Sequence, residues 1–333
     1  MRRAAAGLGL FLAACSGRQN ALDPAGDQAA TSEAMWRTML LVCGVLYVLV
    51  LAFLAWALWR ARARRGPAVV ATGHTAAEPA LERSLAGWSA LIVVGLLFLS
   101  IASFVADRSL ARAGPDPLDV KVTANQWWWQ VEYPGERPDR RITTANELHL
   151  PAGRPARITL AANDVVHSFW IPNLSGKQDL VPGRINRLTV TPRREGAYRG
   201  QCAEFCGLQH ANMALDVVVE SPAQFEAWRA RQLATPPAPA DGLAAAGRQV
   251  FLGQACVMCH RVAGTEAGGM TGPDLTHVAS RPTIAAGALP NGPGGLAAWI
   301  ADPQGVKPGT NMPRVPLSGP QLTALVAYLE TLK

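Results

Sequence analysis

The chain has 333 residues, enough for two or three units, and 49% of them are apolar against only 17% charged, a high share for a soluble protein. Its net charge of +7 is local: four arginines crowd into Arg60–Arg65, and from Asp107 onward 22 basic side chains face 19 acidic ones. That balance excludes a nucleic-acid partner, which would call for a broad basic face.

Residues 1–15 read as an export signal: Arg2 and Arg3, a short apolar run, then small residues. Leu12-Ala13-Ala14-Cys15, followed by Ser16 and Gly17, resembles a bacterial lipobox and predicts a lipid on Cys15; ordinary cleavage nearby would leave it unmodified. A transmembrane hairpin is expected over 35–108. Met39–Trp59 is an uncharged apolar run of 21 residues, long enough to cross a bilayer as a helix, with Trp56 and Trp59 where an interfacial aromatic belt would sit. Leu85–Ala106 is a second such run, and the basic loop between them belongs in the cytoplasm by the positive-inside rule. Everything after Asp107 is then outside, in agreement with the export signal. The expected location is the bacterial inner membrane, with the later domains on its periplasmic side. Cys43, inside the first span, reads as a packing residue.

Residues 118–222 read as an all-β domain. Short alternating runs recur at Leu118–Ala124, Trp127–Tyr133, Glu147–Leu150, Arg157–Leu160, Asn186–Val190 and Ala214–Val219, punctuated by Pro and Gly, which implies a sandwich. Trp127, Trp128 and Trp129 are consecutive on one run, so at least one of them should face outward. His149 reads as a strand or turn residue without a partner.

The densest chemistry lies in Gln201–Met213. Cys202 and Cys206 are four apart, His210 follows four later and Met213 three after that. Soft sulfur with imidazole selects copper over magnesium or calcium, and two thiolates with one nearby His suggest two ions sharing the sulfurs. A second His must come from elsewhere. His167 is the best candidate, at the end of a β-like run (Arg157–Val166). A Cys202–Cys206 disulfide and a structural zinc site are the competing readings; Met213 speaks against zinc.

Residues 223–242 read as a short helix (Gln224–Gln232) and a Pro/Ala tether (Ala234–Gly242), extended and semi-rigid at about 3 Å per residue. Residues 243–333 carry Cys256-Val257-Met258-Cys259-His260. Two thiols at that spacing add across the vinyl groups of a haem, and the adjacent His becomes the axial ligand. A thioredoxin-like motif would need a βαβ context and gives no reason for His260. The sixth ligand should be Met312, 52 residues downstream in a Gly/Pro-rich loop; Met270 is only ten away and Met258 lies between the thiols. His/Met ligation raises a haem potential. Trp299 reads as haem-side packing, Gly319–Leu332 as the closing helix, and His277 as structural or exposed, without a partner.

The six positions His167, Cys202, Glu204, Cys206, His210 and Met213 resemble the binuclear copper-A site of cytochrome c oxidase subunit II. The resemblance covers Asp119–Glu220, and Gly242–Lys333 resembles the monohaem class I cytochromes c. Together they imply a multidomain protein: a two-helix transmembrane hairpin, a cupredoxin-like all-β Greek-key sandwich and an all-α class I cytochrome c domain, the arrangement of a caa-type oxidase subunit II. By that resemblance both thiolates bridge the coppers, His167 and Met213 complete one, and His210 with the Glu204 carbonyl completes the other. The Glu204 carboxylate would serve a magnesium ion shared with subunit I. Trp127 would be where electrons enter, and the Pro273 carbonyl would hold the His260 ring. Glu82 departs from the family pattern, which has a Glu closer to the following Trp at the mouth of a proton path; the wider spacing here reads as a headgroup-level carboxylate.

What the resemblance implies is the subunit through which electrons enter a haem-copper terminal oxidase, with oxygen reduction and proton pumping left to the catalytic subunit I. Its cofactors would be binuclear copper-A and one covalent haem c. Its partners would be subunit I, other oxidase subunits, the lipid bilayer, and an external donor such as cytochrome c or a quinol-cytochrome c reductase. The tethered haem would supply a millimolar-scale effective concentration. The sandwich fits a tethered donor: between Asp107 and Pro222, 14 basic residues balance 13 acidic ones, where recruitment of a basic soluble cytochrome would call for an acidic excess. The alternatives are the same module feeding a copper-A nitric oxide reductase, or an anchored electron-transfer protein without a catalytic partner.

Overall fold

The computed structural model describes residues 17–63, 79–110, 114–135, 137, 140–239 and 242–333. The export signal with Cys15, Arg64 and Arg65 of the basic cluster, and residues 240–241 of the tether lie outside the described residues. The chain divides into two units, residues 31–112 and the remainder.

The first unit is built from α1 (Asp27–Ala63) and α2 (Pro79–Leu110), of 37 and 32 residues. Both are long and apolar enough to cross a membrane. At about 1.5 Å per residue each exceeds a hydrocarbon core of about 30 Å, so they run beyond the uncharged stretches at both ends. Trp88 of α2 meets Phe53 of α1 edge-on at 6.4 Å. Arg60 lies over the Trp56 ring, its charge capping the aromatic belt. Glu82 is exposed in the first turn of α2. Cys43 is a free thiol exposed on the surface of α1.

The second unit begins with a sandwich of two five-stranded sheets. One has the order β3 (Ile142–Ala145), β2 (Trp128–Tyr133), β1 (Leu118–Asn125), β5 (Ala156–Ala162), β8 (Asn186–Val190). The other has the order β4 (Glu147–Pro151), β10 (Ala214–Glu220), β9 (Gly196–Cys202), β6 (His167–Trp170), β7 (Gln178–Leu180). β1 runs parallel to β5 and β10 parallel to β4, so crossovers tie the sheets together in a cupredoxin-like fold. The period of two sends Trp129, Val131 and Tyr133 into the core while Trp128, Gln130 and Glu132 stay half-exposed. Trp128 is therefore the outward member of the Trp run. Trp127 precedes the strand and is buried.

Two expectations about strands are corrected. The run taken as Arg157–Val166 ends at Ala162, because Asn163 and Asp164 turn the chain: Asn163 N donates to the Ala124 carbonyl and Val165 N to the Asp164 carboxylate. His167 thus opens the next strand instead of closing that one. His149 is a strand residue but has partners: Nδ1 sits 2.7 Å from Glu220 Oε1, and the ring stacks on Trp228 at 4.2 Å. Trp228 lies in α3 (Pro222–Leu233), which starts in a capping box between Ser221 and Gln224 and seals the end of the sandwich.

After the tether comes an all-α half with its own core. It contains α4 (Gly242–Gly253), α5 (Cys256–Cys259), the short β11 (Thr283–Ile284) and β12 (Leu289–Pro290), α6 (Pro293–Ala301), α7 (Pro303–Val306) and α8 (Gly319–Leu329). α4 and α8 cross where a Cβ on Gly247 would stand 1.8 Å from the Ala324 carbonyl, a spacing only glycine allows. Trp299 is half-buried and packs against this core. His277 is structural, as one of the two readings had it, but not partnerless: it is buried, with Nδ1 2.8 Å from the Lys333 carbonyl and Nε2 3.2 Å from that of Gln232.

Candidate metal and haem centres

The thiol loop hangs between β9 and β10, which are hydrogen-bonded neighbours. Cys202 ends β9, and its N–H donates to the Met213 carbonyl, pinching the loop shut at both ends. A 3₁₀ turn, His210–Asn212, then swings Met213 back into the core. At Gly207 φ is +112° and a Cβ would lie 3.0 Å from the Trp127 ring, so the tight fold of the loop against Trp127 requires glycine.

The result is a buried nest of soft donors. His167, Cys202 and Cys206 hold their ligand atoms within 4.8 Å of one another. Cys202 Sγ is 3.8 Å from Cys206 Sγ, 3.8 Å from His167 Nδ1 and 3.3 Å from the Glu204 carbonyl oxygen. Cys206 Sγ is 3.6 Å from His210 Nδ1 and 3.9 Å from Met213 Sδ. A metal about 2.3 Å from sulfur and about 2.0 Å from an imidazole nitrogen sets such donors about 3.5 Å apart at a tetrahedral angle, so the nest fits a metal. It does not fit a disulfide: both thiols are free, and their separation is far above the S–S bond length of about 2.05 Å. The hydrogen bond between the two sulfurs, against burial, pulls Cys202 down to about 3, with His167 and two backbone groups helping; Cys206 is pushed up in turn. One sulfur is thus drawn toward the thiolate, the form a metal binds.

Asp164 was not legible as a site residue. It lies in the turn before His167, and its Oδ1 sits 2.8 Å from His167 Nε2. That contact fixes the ring so that Nδ1 faces the sulfurs. Asp164 also accepts from the Gln126 N–H. Trp127 leans on the same loop: its Nε1 donates to the Cys206 carbonyl at 2.9 Å, beside a bond from Gln126 Nε2 at 2.8 Å. Glu204 itself is exposed, while its carbonyl oxygen faces Cys202 Sγ.

In the all-α half, Cys256 and Cys259 are free, half-buried and one helical turn apart on α5. Burial pushes the Cys256 thiol up. His260 follows at once, and its Nδ1 donates to the Pro273 carbonyl at 2.7 Å, which leaves Nε2 for an iron. Burial lowers its pKa, keeping the ring neutral as a ligand must be. Met312 is half-buried, whereas Met258 and Met270 are 75% and 69% exposed, which favours Met312 as the sixth ligand. The residues that follow it, Arg314, Val315, Pro316 and Leu317, line a cavity of about 510 Å³ with Ala301 and Leu322. The thiol pair and the His260 tautomer fit a covalent haem.

Residues 136–221 match the family described as Cytochrome C oxidase subunit II, periplasmic domain, and residues 244–333 match Cytochrome c. A cytochrome c oxidase subunit 2 of Alkalihalophilus pseudofirmus is 35% identical to this chain over 338 residues, spanning 98% of this chain and 95% of that protein. The chain belongs to the cytochrome c oxidase subunit 2 family. Two further members are similar over 74% of this chain and 73% of their own length: that of Bacillus sp. strain PS3 at 33% identity and that of Bacillus subtilis at 32%. This member of the family is a subunit II of a haem-copper oxidase with a fused cytochrome c domain, and those two domains imply copper-A and haem.

In this subunit II the sandwich and the helical half touch, through residues the sequence did not single out. Lys307, 2% exposed, reaches the carbonyls of Trp127 and Asn212 on the sandwich and of Ala285 on its own half. Burial pushes its ammonium down to about 8. Arg281, also buried, lies 3.6 Å from Glu147 of β4. Thr283 donates to Asp216 of β10, and the Ala214 N–H donates to the Ala286 carbonyl at 2.9 Å. None of these polar groups carries a motif; only the folded chain pairs them.

Proposed function

We propose that this subunit takes electrons from an external donor at its fused haem and passes them through a binuclear copper-A centre to the haem of subunit I, which reduces oxygen to water and pumps protons. The observation that carries the reading is the contact of the Met312 loop with Trp127, which is itself bonded to the Cys206 backbone. Bound copper-A and haem would supply one-electron carriers. The chain's own residues do the rest. Cys202, Cys206, His167, His210, Met213 and the Glu204 carbonyl would hold the copper-A centre. Asp164 orients His167, and the buried walls exclude water. Cys256, Cys259, His260 and Met312 would hold the haem, with the Pro273 carbonyl fixing the His260 ring. Trp127 stands between the halves as the point where electrons enter the copper nest. The exposed Glu204 carboxylate is free to face a magnesium ion at the subunit I surface. On this reading the subunit delivers electrons and subunit I does the chemistry. The two apolar helices would anchor it in the inner membrane with both redox halves on the periplasmic side.

The test uses a tag at Lys333. The membrane complex it retrieves is given an artificial reductant, and uptake of oxygen and of nitric oxide is followed separately. Rapid oxygen uptake, lost in Cys206→Ser, is the expected result. Nitric oxide uptake without oxygen uptake would keep the ligands and overturn the reaction.

A further inference from the structure

We propose that Lys307 is the latch that holds the haem-bearing half docked on the sandwich and positions the Met312 loop against Trp127. The inference rests on the electron route proposed above.

An ammonium is a poor thing to bury unless each of its donors finds an acceptor. Lys307 Nζ donates at 2.9 Å to the Trp127 carbonyl, 2.9 Å to that of Asn212 and 3.1 Å to that of Ala285. Three donors meet three acceptors, two on the sandwich and one on the haem-bearing half. The cage is complete only while the halves are together. Apart, the ammonium would return to water and the Trp127 and Asn212 carbonyls would lose it. Lysine suits this task because its charge sits on a flexible stem and can enter as the halves close.

The cage sits where the two centres approach. On the sandwich, Asn212 adjoins Met213 and Trp127 is bonded to the Cys206 carbonyl. Gln209, beside His210, donates to the Pro308 carbonyl at 2.9 Å, and Asn311, beside Met312, donates to the Gln126 carbonyl at 3.3 Å. Residues 307–311 therefore join the axial-ligand loop to both segments that wrap the copper nest. Gripping that stretch fixes the separation of the two centres. The step it serves moves one electron from the reduced haem to the oxidised copper pair, with no bond made or broken. Docked in this way, the halves depend on charge-to-carbonyl bonds buried from solvent, so salt should screen them little.

The experiment uses the purified membrane complex, with the haem reduced by a light-driven one-electron donor and the haem and copper-A bands followed in time. In Lys307→Met both resting spectra should match wild type. Transfer from haem to copper-A should slow by about tenfold or more, because losing a charged donor and leaving carbonyls unpaired shifts the docking equilibrium by at least that factor. Hydrogen exchange at the Ala214 amide, which spans the seam, should quicken by about tenfold as well, independently of any turnover. Wild-type transfer with wild-type exchange in Lys307→Met would overturn the latch. A wild-type complex whose haem never reduces copper-A would overturn the route instead, a separate outcome. If Lys307→Met does not assemble, a Gln209→Ala/Asn311→Ala double variant carries the test: slowed transfer and faster Ala214 exchange support the latch, and wild-type values overturn it.

Discussion

The molecule holds two pairs of cysteines, and their surroundings turn them to different ends. Cys202 and Cys206 straddle a strand end and a loop, and that loop collects His210, Met213 and the Glu204 carbonyl around them while β6 adds His167. One sulfur of the pair is drawn toward thiolate by its neighbour's hydrogen bond. Cys256 and Cys259 sit on one helical turn with His260 next in line, and burial pushes Cys256 toward the thiol. The first pair is prepared to bind ions through many converging donors. On the proposed reading the second is alkylated once by a haem, with the imidazole beside it as ligand. Spacing alone, four against three, would not separate these uses; the company each pair keeps does.

That contrast can be broken in graded ways. The largest effect is expected for Cys206→Ser, which removes one of the two sulfurs proposed to hold the coppers: the copper-A absorption should disappear with the haem spectrum unchanged, and altered haem bands would sink the division of labour. Met312→Ala should abolish the low-spin His/Met signature of the haem and leave copper-A intact; a retained signature would move the axial ligand to Met270. Asp164→Asn keeps every proposed ligand and loosens only the His167 ring. Copper affinity should fall by about 10–100-fold, measured by competition with a chelator, and an unchanged affinity would remove Asp164 from the site. The smallest effect lies away from both pairs. His149 is pulled down by burial, but its bonds to Glu147 and Glu220 outweigh that and raise it above 6.5. A raised folded pKa means stabilisation present in full below the unfolded value and lost as pH rises through the folded one. Wild type should therefore exceed His149→Gln by about 1.5–3 kcal/mol below pH 6.5, with the gap narrowing at alkaline pH; a gap that widens with pH in thermal unfolding would contradict it.

The sequence announced what repeats a motif or a period. The two apolar runs, the CxxCH with its following His, and the ligand loop are local in the chain, and each could be read from spacing. So could most strands whose alternation is clean, such as the one through Trp129, Val131 and Tyr133. Short strands were harder. Ile142–Ala145, His167–Trp170 and Gln178–Leu180 have three or four residues each, too few for a period to show. His149 and His277 looked unpartnered because Glu220, Trp228, Lys333 and Gln232 lie 71, 79, 56 and 45 positions away. Asp164 hid in plain turn chemistry, and Lys307 carries no pattern that distinguishes it from a surface lysine. Both gain their roles only from what the fold brings to them.

The central claim is that the sandwich thiols share one pair of coppers while the haem sits elsewhere. Electron paramagnetic resonance of the oxidised, purified complex tests it most directly. The account predicts a copper signal from one electron shared between two equivalent nuclei, abolished in Cys206→Ser, beside an unchanged low-spin haem signal. Hyperfine structure from a single copper nucleus, or a signal that survives the loss of Cys206, would contradict it.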